Sequence, residues 1–411
     1  MVSKEQKTVM KKLLLLGGSR YIVPVINVAH ELGCEVITCD YLPGNIAHKY
    51  SDKYINASVI EKEQILQVSE ELNIDGIMSF ACDPGVVTAA YVAEKMHLPS
   101  CGSYESVEIL QNKDRFRSFL QKNGFNTPKS KSYNNISDLL DEIESFSLPL
   151  IVKPVDSAGS RGVAVVDSIE NTKELAENAL SFSRSKRIIV EEYIQQQGYS
   201  SDSECFTVNG NLEFVSFSSQ GFDSKANNPF TPAAFGWPSL MKNEIKTELT
   251  SEIQRLVRLL NMGTSIYNVE TREGTDGKAY IMECSPRGGG NRLAECLEYA
   301  TGAKLIENAV RGAIGMPVII MDNNKIEGFW AEIIIHSKDE GIFEEIFIDE
   351  SIQKYIVDKD ICVNRNEKVY GFNAANESLG EIIFRFEKED DMRKVLNDVD
   401  RYVFVKLNTR Q

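Results

Sequence analysis

The sequence predicts a mixed chain, α/β over roughly its first hundred residues and α+β beyond them. Two observations carry this. Near the N-terminus short apolar runs alternate with amphipathic segments, the pattern of βαβ units with a parallel sheet covered on both faces. After Thr127-Pro128 the texture changes to strands with Gly-rich connections, and the C-terminal portion again shows strands and a helix. The length of 411 residues allows two to four compact units around sizeable cores, at roughly 150 residues per domain.

In chain order, Lys12–Leu16, Glu35–Cys39 and Gly76–Phe80 read as buried strands, each a few apolar residues bounded by Gly or Asp. Between them Tyr21–Leu32, Ile60–Leu72 and Pro84–Met96 read as helices; Asp83 at the strand end is placed to meet an amine, but an N-cap role before Pro84 is the expectation. The first strand ends in Gly17-Gly18-Ser19-Arg20, a tight turn that resembles a phosphate-binding one. The Gly-x-Gly-x-x-Gly fingerprint of a dinucleotide site is absent, so NAD is not predicted. A helix is predicted over 112–123, with Asn112 as N-cap, Phe116, Phe119 and Leu120 on one face, and Gly124 just past its end. The segment from Ser219 to Ser239 is full of Pro, Gly and Asn and reads as a long functional loop whose aromatics, Trp237 among them, pack over something. Trp330–His336 and Glu381–Phe386 read as strands, and Asp390–Val399 as a helix.

The charge balance of 45 basic against 60 acidic side chains gives a net charge of −15. That argues against a dedicated nucleic-acid or anionic-membrane binder, both of which need a basic footprint. The apolar run Leu13–Leu16 is far too short for a membrane span, and no signal peptide is read before it. The eight cysteines show no Cys-x-x-Cys and no zinc-like spacing with histidine, the pattern of reduced core thiols in a cytoplasmic protein.

Three stretches carry candidate chemistry. The first is the strand Leu150–Pro154, with Lys153, followed by the small-residue loop 156–162 and a second strand at Val163–Val166. Small residues let backbone N–H groups close around phosphate oxygens, and a lysine at the strand end adds fixed positive charge. The same pattern also suits a plain turn, and no Walker A loop is present. The second is the pair Glu270 and Glu283. If Asp276-Gly277 forms a two-residue hairpin turn, the two carboxylates sit directly opposite each other. They repel unless a cation or proton lies between them, and a hard cation such as Mg²⁺ resolves the clash. The third is Cys284-Ser285-Pro286-Arg287-Gly288-Gly289-Gly290-Asn291 at the start of a helix, where free N–H groups and Arg287 suit an anion or a transferring phosphoryl group.

Taken in order, Lys113, Lys153 with its loop, Val190-Glu191-Glu192-Tyr193-Ile194, Glu270, and Glu283-x-Ser-Pro-Arg287 resemble the ATP-grasp superfamily. Within it the likeness is to carboxylate–amine ligases and to carbamoyl-phosphate-synthase and biotin-carboxylase-like members. The resemblance implies a Rossmann-like pre-ATP-grasp domain over 1–110, an ATP-grasp domain over 111–315 with its lid at about 127–195, and a smaller C-terminal αβ subdomain over 316–411. It implies that Lys113 and Lys153 contact the nucleotide phosphates, that Ser157, Gly159, Ser160 and Gly162 belong to a lid over them, and that the backbone of Glu191, Glu192 and Ile194 reads the adenine edge. Glu270 and Glu283 match the magnesium ligands and Arg287 the arginine that steadies an acyl phosphate. Ser285 stands where the family usually has a metal-binding Asn, and Ser200 stands where a ribose-holding Glu is expected, with Asp202 or Glu204 as substitutes.

The activity implied is an ATP- and Mg²⁺-dependent ligase, Mn²⁺ being an alternative metal, that activates a carboxylate as an acyl phosphate and passes it to an amine. Lys153 and Arg287 are its candidate catalytic residues, with Arg287, Gly289 and Asn291 as candidate substrate contacts. A bicarbonate-using carboxylase and a non-catalytic ATP-binding protein are the alternatives. Expected partners are small-molecule carboxylate and amine substrates, with no nucleic acid and no membrane, and a homodimer by base rate.

Overall fold

The computed structural model describes residues 10–157, 161–321 and 325–408. Its N-terminal sheet runs in the order Lys53–Asn56, Glu35–Asp40, Lys12–Leu16, Gly76–Ser79, every pair parallel. Helices Val23–Glu31 and Lys62–Leu72 make two of the crossovers, a short 3-10 turn at Ile46–Lys49 makes the third, and helix Asp83–Met96 follows the last strand. The central strands are apolar throughout: Leu13, Leu14 and Leu16 are wholly buried, as a sheet covered on both faces requires. The parallel α/β prediction therefore holds here, with one edge strand, Lys53–Asn56, that carries too little apolar pattern to be read from sequence.

Two antiparallel sheets follow. One pairs Ser130–Tyr133, Ile188–Glu192, Leu150–Pro154 and Ala164–Val166 in that order; the other pairs Asn211–Val215, Ser201–Val208, Ser265–Glu273 and Ala279–Ser285. Helix Asn243–Leu259 buries Ile245, Leu249, Ile253, Leu256 and Val257, a stripe at three- and four-residue spacing. That stripe packs with Cys205, Tyr267, Val269 and Cys284 on one face of the second sheet, together with Phe116 and Leu120 of helix Lys113–Lys122. Asn112 caps that helix by accepting from the Arg115 N–H, as the sequence predicts, and Gly124 lies past its end at φ +71°. One face of the sheet is thus committed to core, and the other faces the cleft.

The segment 219–239 is not a structureless loop. Ser219–Phe222 and Pro232–Trp237 are antiparallel strands, and the second pairs with Phe329–Ile335 in a five-stranded sheet completed by Gly380–Phe386 and Ile356–Ile361. The turn-forming residues misled because they concentrate between the two strands, while the pairing partner lies about a hundred residues on. Trp237 is wholly buried and its indole N–H donates to Ser203 Oγ at 3.1 Å. A three-stranded sheet, Lys368–Val369, Gly341–Ile348 and Val403–Asn408, packs alongside. No helix among the described residues is long and apolar enough to cross a membrane.

Candidate active site

The hairpin that carries Glu270 and Glu283 places them opposite each other, the predicted register, by a different route. The turn is three residues, 275–277, with Gly277 at φ +76° and its N–H bonded to the Gly274 carbonyl. Nearer the turn Thr271 pairs with Ile281; the register then shifts by one residue at Met282, a β-bulge that restores the Glu270–Glu283 pairing. Across the next strand Glu270 pairs with Asp202, and Asn268 pairs with both Glu204 and Ser285. Alternation therefore sets two polar rungs on the cleft face: Asp202–Glu270–Glu283 and, one step along, Glu204–Asn268–Ser285.

The first rung meets two cations. Lys113, at the first turn of its helix, places Nζ 3.0 Å from Glu283 Oε1 and donates to the Ser157 carbonyl at 3.0 Å, so the linker helix, the rung and the 156–162 loop converge on one ammonium. Burial opposes the Glu283 charge, but Lys113 and Lys153 outweigh it and hold the carboxyl below its usual range. Glu270 moves the other way: burial and the facing Glu283 raise it, with Arg272 at 3.7 Å only partly offsetting them. Burial, then Glu270, pushes Asp202 up to about 7. Two facing carboxylates, of which Glu270 carries a destabilised charge, fit a hard divalent cation held by oxygen donors.

Lys153 lies in a buried triad. Its Nζ is 2.8 Å from Glu191 Oε2, while Arg117 Nε is 2.8 Å from Glu191 Oε1 and Arg117 Nη1 donates to the Met282 carbonyl at 2.9 Å. Burial opposes ionisation of Glu191, yet the two cations hold it down to about 2. Burial and the neighbouring Arg117 keep the Lys153 ammonium below its ordinary value. The Glu191 side chain is thus fully engaged within the protein. The Glu192 carboxylate accepts the Ser147 N–H at 2.9 Å, and the Ile194 carbonyl accepts from Arg272 at 3.2 Å. Of the lid residues, Gly162 has φ +72°, whereas Gly159 and Ser160 lie outside the described residues.

Arg287 is oriented by a residue whose part was misread from sequence. Asp83 is not the N-cap of its helix; Cys82 occupies that position without a capping hydrogen bond. The Asp83 carboxylate instead reaches across the cleft, where Oδ1 accepts from Arg287 Nε at 2.8 Å and from Ser285 Oγ at 2.9 Å, with Arg287 Nη2 at 2.6 Å. Gln111 donates to Ser285 Oγ at 2.6 Å. Arg287 and Ser285 outweigh burial to keep Asp83 ionised below its usual range. Asp83→Asn retains an acceptor but loses the charge that aligns Arg287, and is expected to lower turnover about 100-fold with the fold unchanged. Unaltered turnover of ATP in that variant would remove the positioning role.

Beyond Arg287, the Gly289 N–H donates to Glu204 Oε1 at 2.7 Å, and Asn291 Oδ1 accepts from the Tyr21 hydroxyl at 3.1 Å. Asn291 and Arg292 both adopt φ near +60°, a left-handed pair that turns the chain sharply into helix Leu293–Thr301. Arg20, at the end of the Gly17-Gly18 turn, is committed to Glu381, with Nη1 2.6 Å from Oε2, so that turn docks on the C-terminal sheet. A cavity of about 660 Å³ opens on the Lys113 side and is lined by Asp83, Lys113, Ser157, Arg161, Glu283 and Ser285 among others; neither Glu270 nor Arg287 lines it.

Comparison with known proteins accords with this arrangement. Residues 146–295 match the family model described as the ATP-grasp domain. Over those residues the chain is similar to an ATP-grasp domain. The match holds Lys153, strand Ile188–Glu192, both glutamates and Arg287; Lys113 and Asp83 fall outside it. In fold the chain is similar to an L-amino acid ligase from Bacillus licheniformis, at a TM-score of 0.80 and 22% identity, covering 97% of this chain and 99% of that one. In sequence the chain is 26% identical over 219 residues to a carbamoyl phosphate synthase large chain of Thermoanaerobacter sp. (strain X514), covering 52% of this chain and 19% of that one. It is 29% identical over 198 residues to a formate-dependent phosphoribosylglycinamide formyltransferase of Methanocaldococcus jannaschii, covering 44% and 48%. The chain thus spans about a fifth of the first of these relatives and half of the second.

Proposed function

We propose that this protein is an ATP-dependent carboxylate–amine ligase. The observation that carries the reading is the convergence of Lys113 on Glu283, opposite Glu270, with Arg287 held by Asp83 at the adjoining turn. Phosphoryl transfer needs positioning and charge neutralisation more than covalent catalysis, and this set supplies both. Glu270 and Glu283 would hold Mg²⁺, with Ser285 beside them; the ion would neutralise charge on the phosphate oxygens. Lys113 and Lys153 would bind phosphate oxygens, and the loop containing Ser157 and Gly162 would close over them. The backbone of Glu191, Glu192 and Ile194 would line the adenine slot. A substrate carboxylate oxygen attacks the γ-phosphorus and ADP leaves; the amine then attacks the acyl carbon and inorganic phosphate leaves. Arg287 would steady the acyl phosphate, with Gly289 and Asn291 shaping the substrate side. Exclusion of water protects that intermediate.

The test is Mg²⁺-dependent ADP release from ATP, screened against pooled carboxylic acids with and without pooled amines. We expect release that needs a carboxylic acid and a condensed product that needs the amine as well. Release with bicarbonate alone would replace the ligase by a carboxylase, and release indifferent to every acid would remove the ligase reading.

A further inference from the structure

The second rung contains a group that the phosphoryl-transfer machinery leaves unused. Glu204 is wholly buried, and its two oxygens have different fates: Oε1 is fixed by the Gly289 N–H at 2.7 Å, and Oε2 is closed to solvent with no hydrogen-bond partner. A Cβ on Gly289 would stand 2.7 Å from Glu204 Oε1 and 2.8 Å from Asn268 Nδ2, so the glycine lets the turn sit directly on this carboxylate. Asn268, opposite Glu204, donates to Asp202 Oδ1 at 2.6 Å and links the two acids. Among the described residues no lysine, arginine or histidine makes an ion pair with Asp202 or Glu204, whereas Glu283, Glu270 and Asp83 each have one and Glu191 has two. A buried acceptor without a partner is costly, and Phe206, two residues further along the same strand, shows that this face turns apolar at once where no polar group is required.

We propose that Asp202 and Glu204, bridged by Asn268, form the subsite that receives the amine substrate as a primary ammonium cation. The proposal rests on the ligase reading and adds where the second substrate sits. Positions two apart on a strand are roughly 7 Å apart, so an ammonium group between Asp202 and Glu204 lies beside the rung at which the acyl phosphate would form. Among the described residues neither acid has an ion-pair partner, Arg287 acting on both only through space, and a three-donor ammonium matches one partly exposed and one buried carboxyl group. A metal ion is the competing occupant, and the test separates the two.

Hydroxylamine is neutral near pH 7.5 and intercepts acyl phosphates as hydroxamates without needing an ammonium subsite. With a carboxylate that supports ADP release, Glu204→Gln is compared with wild type in two assays: hydroxamate formation with hydroxylamine, and condensation with the amine. We expect the amine KM to rise at least ~30-fold, while hydroxamate formation falls by less than about 3-fold. An unchanged amine KM would overturn the proposal. So would parallel loss in both assays, or a raised Mg²⁺ requirement for hydroxamate formation, which would make Glu204 structural or metal-binding. If wild type gives no hydroxamate with any carboxylate that elicits ADP release, the ligase reading itself fails and the amine subsite falls with it.

Discussion

Glu283→Gln is expected to reduce ATP turnover at least ~1,000-fold while the unfolding temperature stays within a few degrees of wild type. The side chain is half-exposed and its one ion pair among the described residues is with Lys113, which retains Asp83 and Glu191 as acidic neighbours. Neutralising it therefore leaves no stranded buried charge. What is lost is the carboxylate that both draws Lys113 toward the cleft and faces Glu270 across the strand pair. Steady-state ADP release, with circular dichroism as the control for folding, checks this. Turnover near that of wild type would remove Glu283 from the metal rung.

Glu191→Gln is expected to act on stability first. Arg117 and Lys153 converge on this one carboxylate, and all three side chains are nearly solvent-free. Removing its charge deprives two buried cations of their direct ion-pair partner, a loss of about 3–5 kcal/mol by the usual cost of breaking such sets. Urea unfolding measures it, and a change below about 0.5 kcal/mol would contradict the account. The pH dependence has a definite sign. The folded-state value, about 2, lies below the ordinary 4.5. The stabilisation is therefore complete above about pH 4.5 and is lost as the pH falls toward 2, and the variant should show a flatter acid limb over that window.

The parts of the site that sequence revealed are those encoded by short-range rules. A period-two strand pair around a Gly-containing turn placed Glu270 opposite Glu283, even though the two-residue turn is in fact a three-residue one compensated by the bulge at Met282. Asn112 was legible as a cap because the cap bond spans three residues. Asp83, Arg117 and Asp202 were not legible in their present parts, because their partners lie far away in sequence: 204 residues separate Asp83 from Arg287, and 74 separate Arg117 from Glu191. Only packing of the N-terminal unit and the linker helix against the hairpin brings them together. The 219–239 segment failed for the same reason, since strand Pro232–Trp237 is specified by pairing with Phe329–Ile335 rather than by its own composition. One signal for Asp202 and Glu204 was present, the alternation of two acids on a strand whose next same-face residue is Phe206.

The most direct test of the central claim, that a carboxylate is activated by phosphoryl transfer, follows oxygen. The carboxylate found in the ADP-release screen is supplied with both oxygens labelled by ¹⁸O, and the inorganic phosphate is examined by ³¹P NMR or mass spectrometry. Attack of the carboxylate on the γ-phosphorus, followed by cleavage of the acyl C–O bond, carries one labelled oxygen into each phosphate released. That is the expected result. Unlabelled phosphate would show that water takes the phosphoryl group, and label in AMP would show adenylate formation; either would contradict the ligase mechanism.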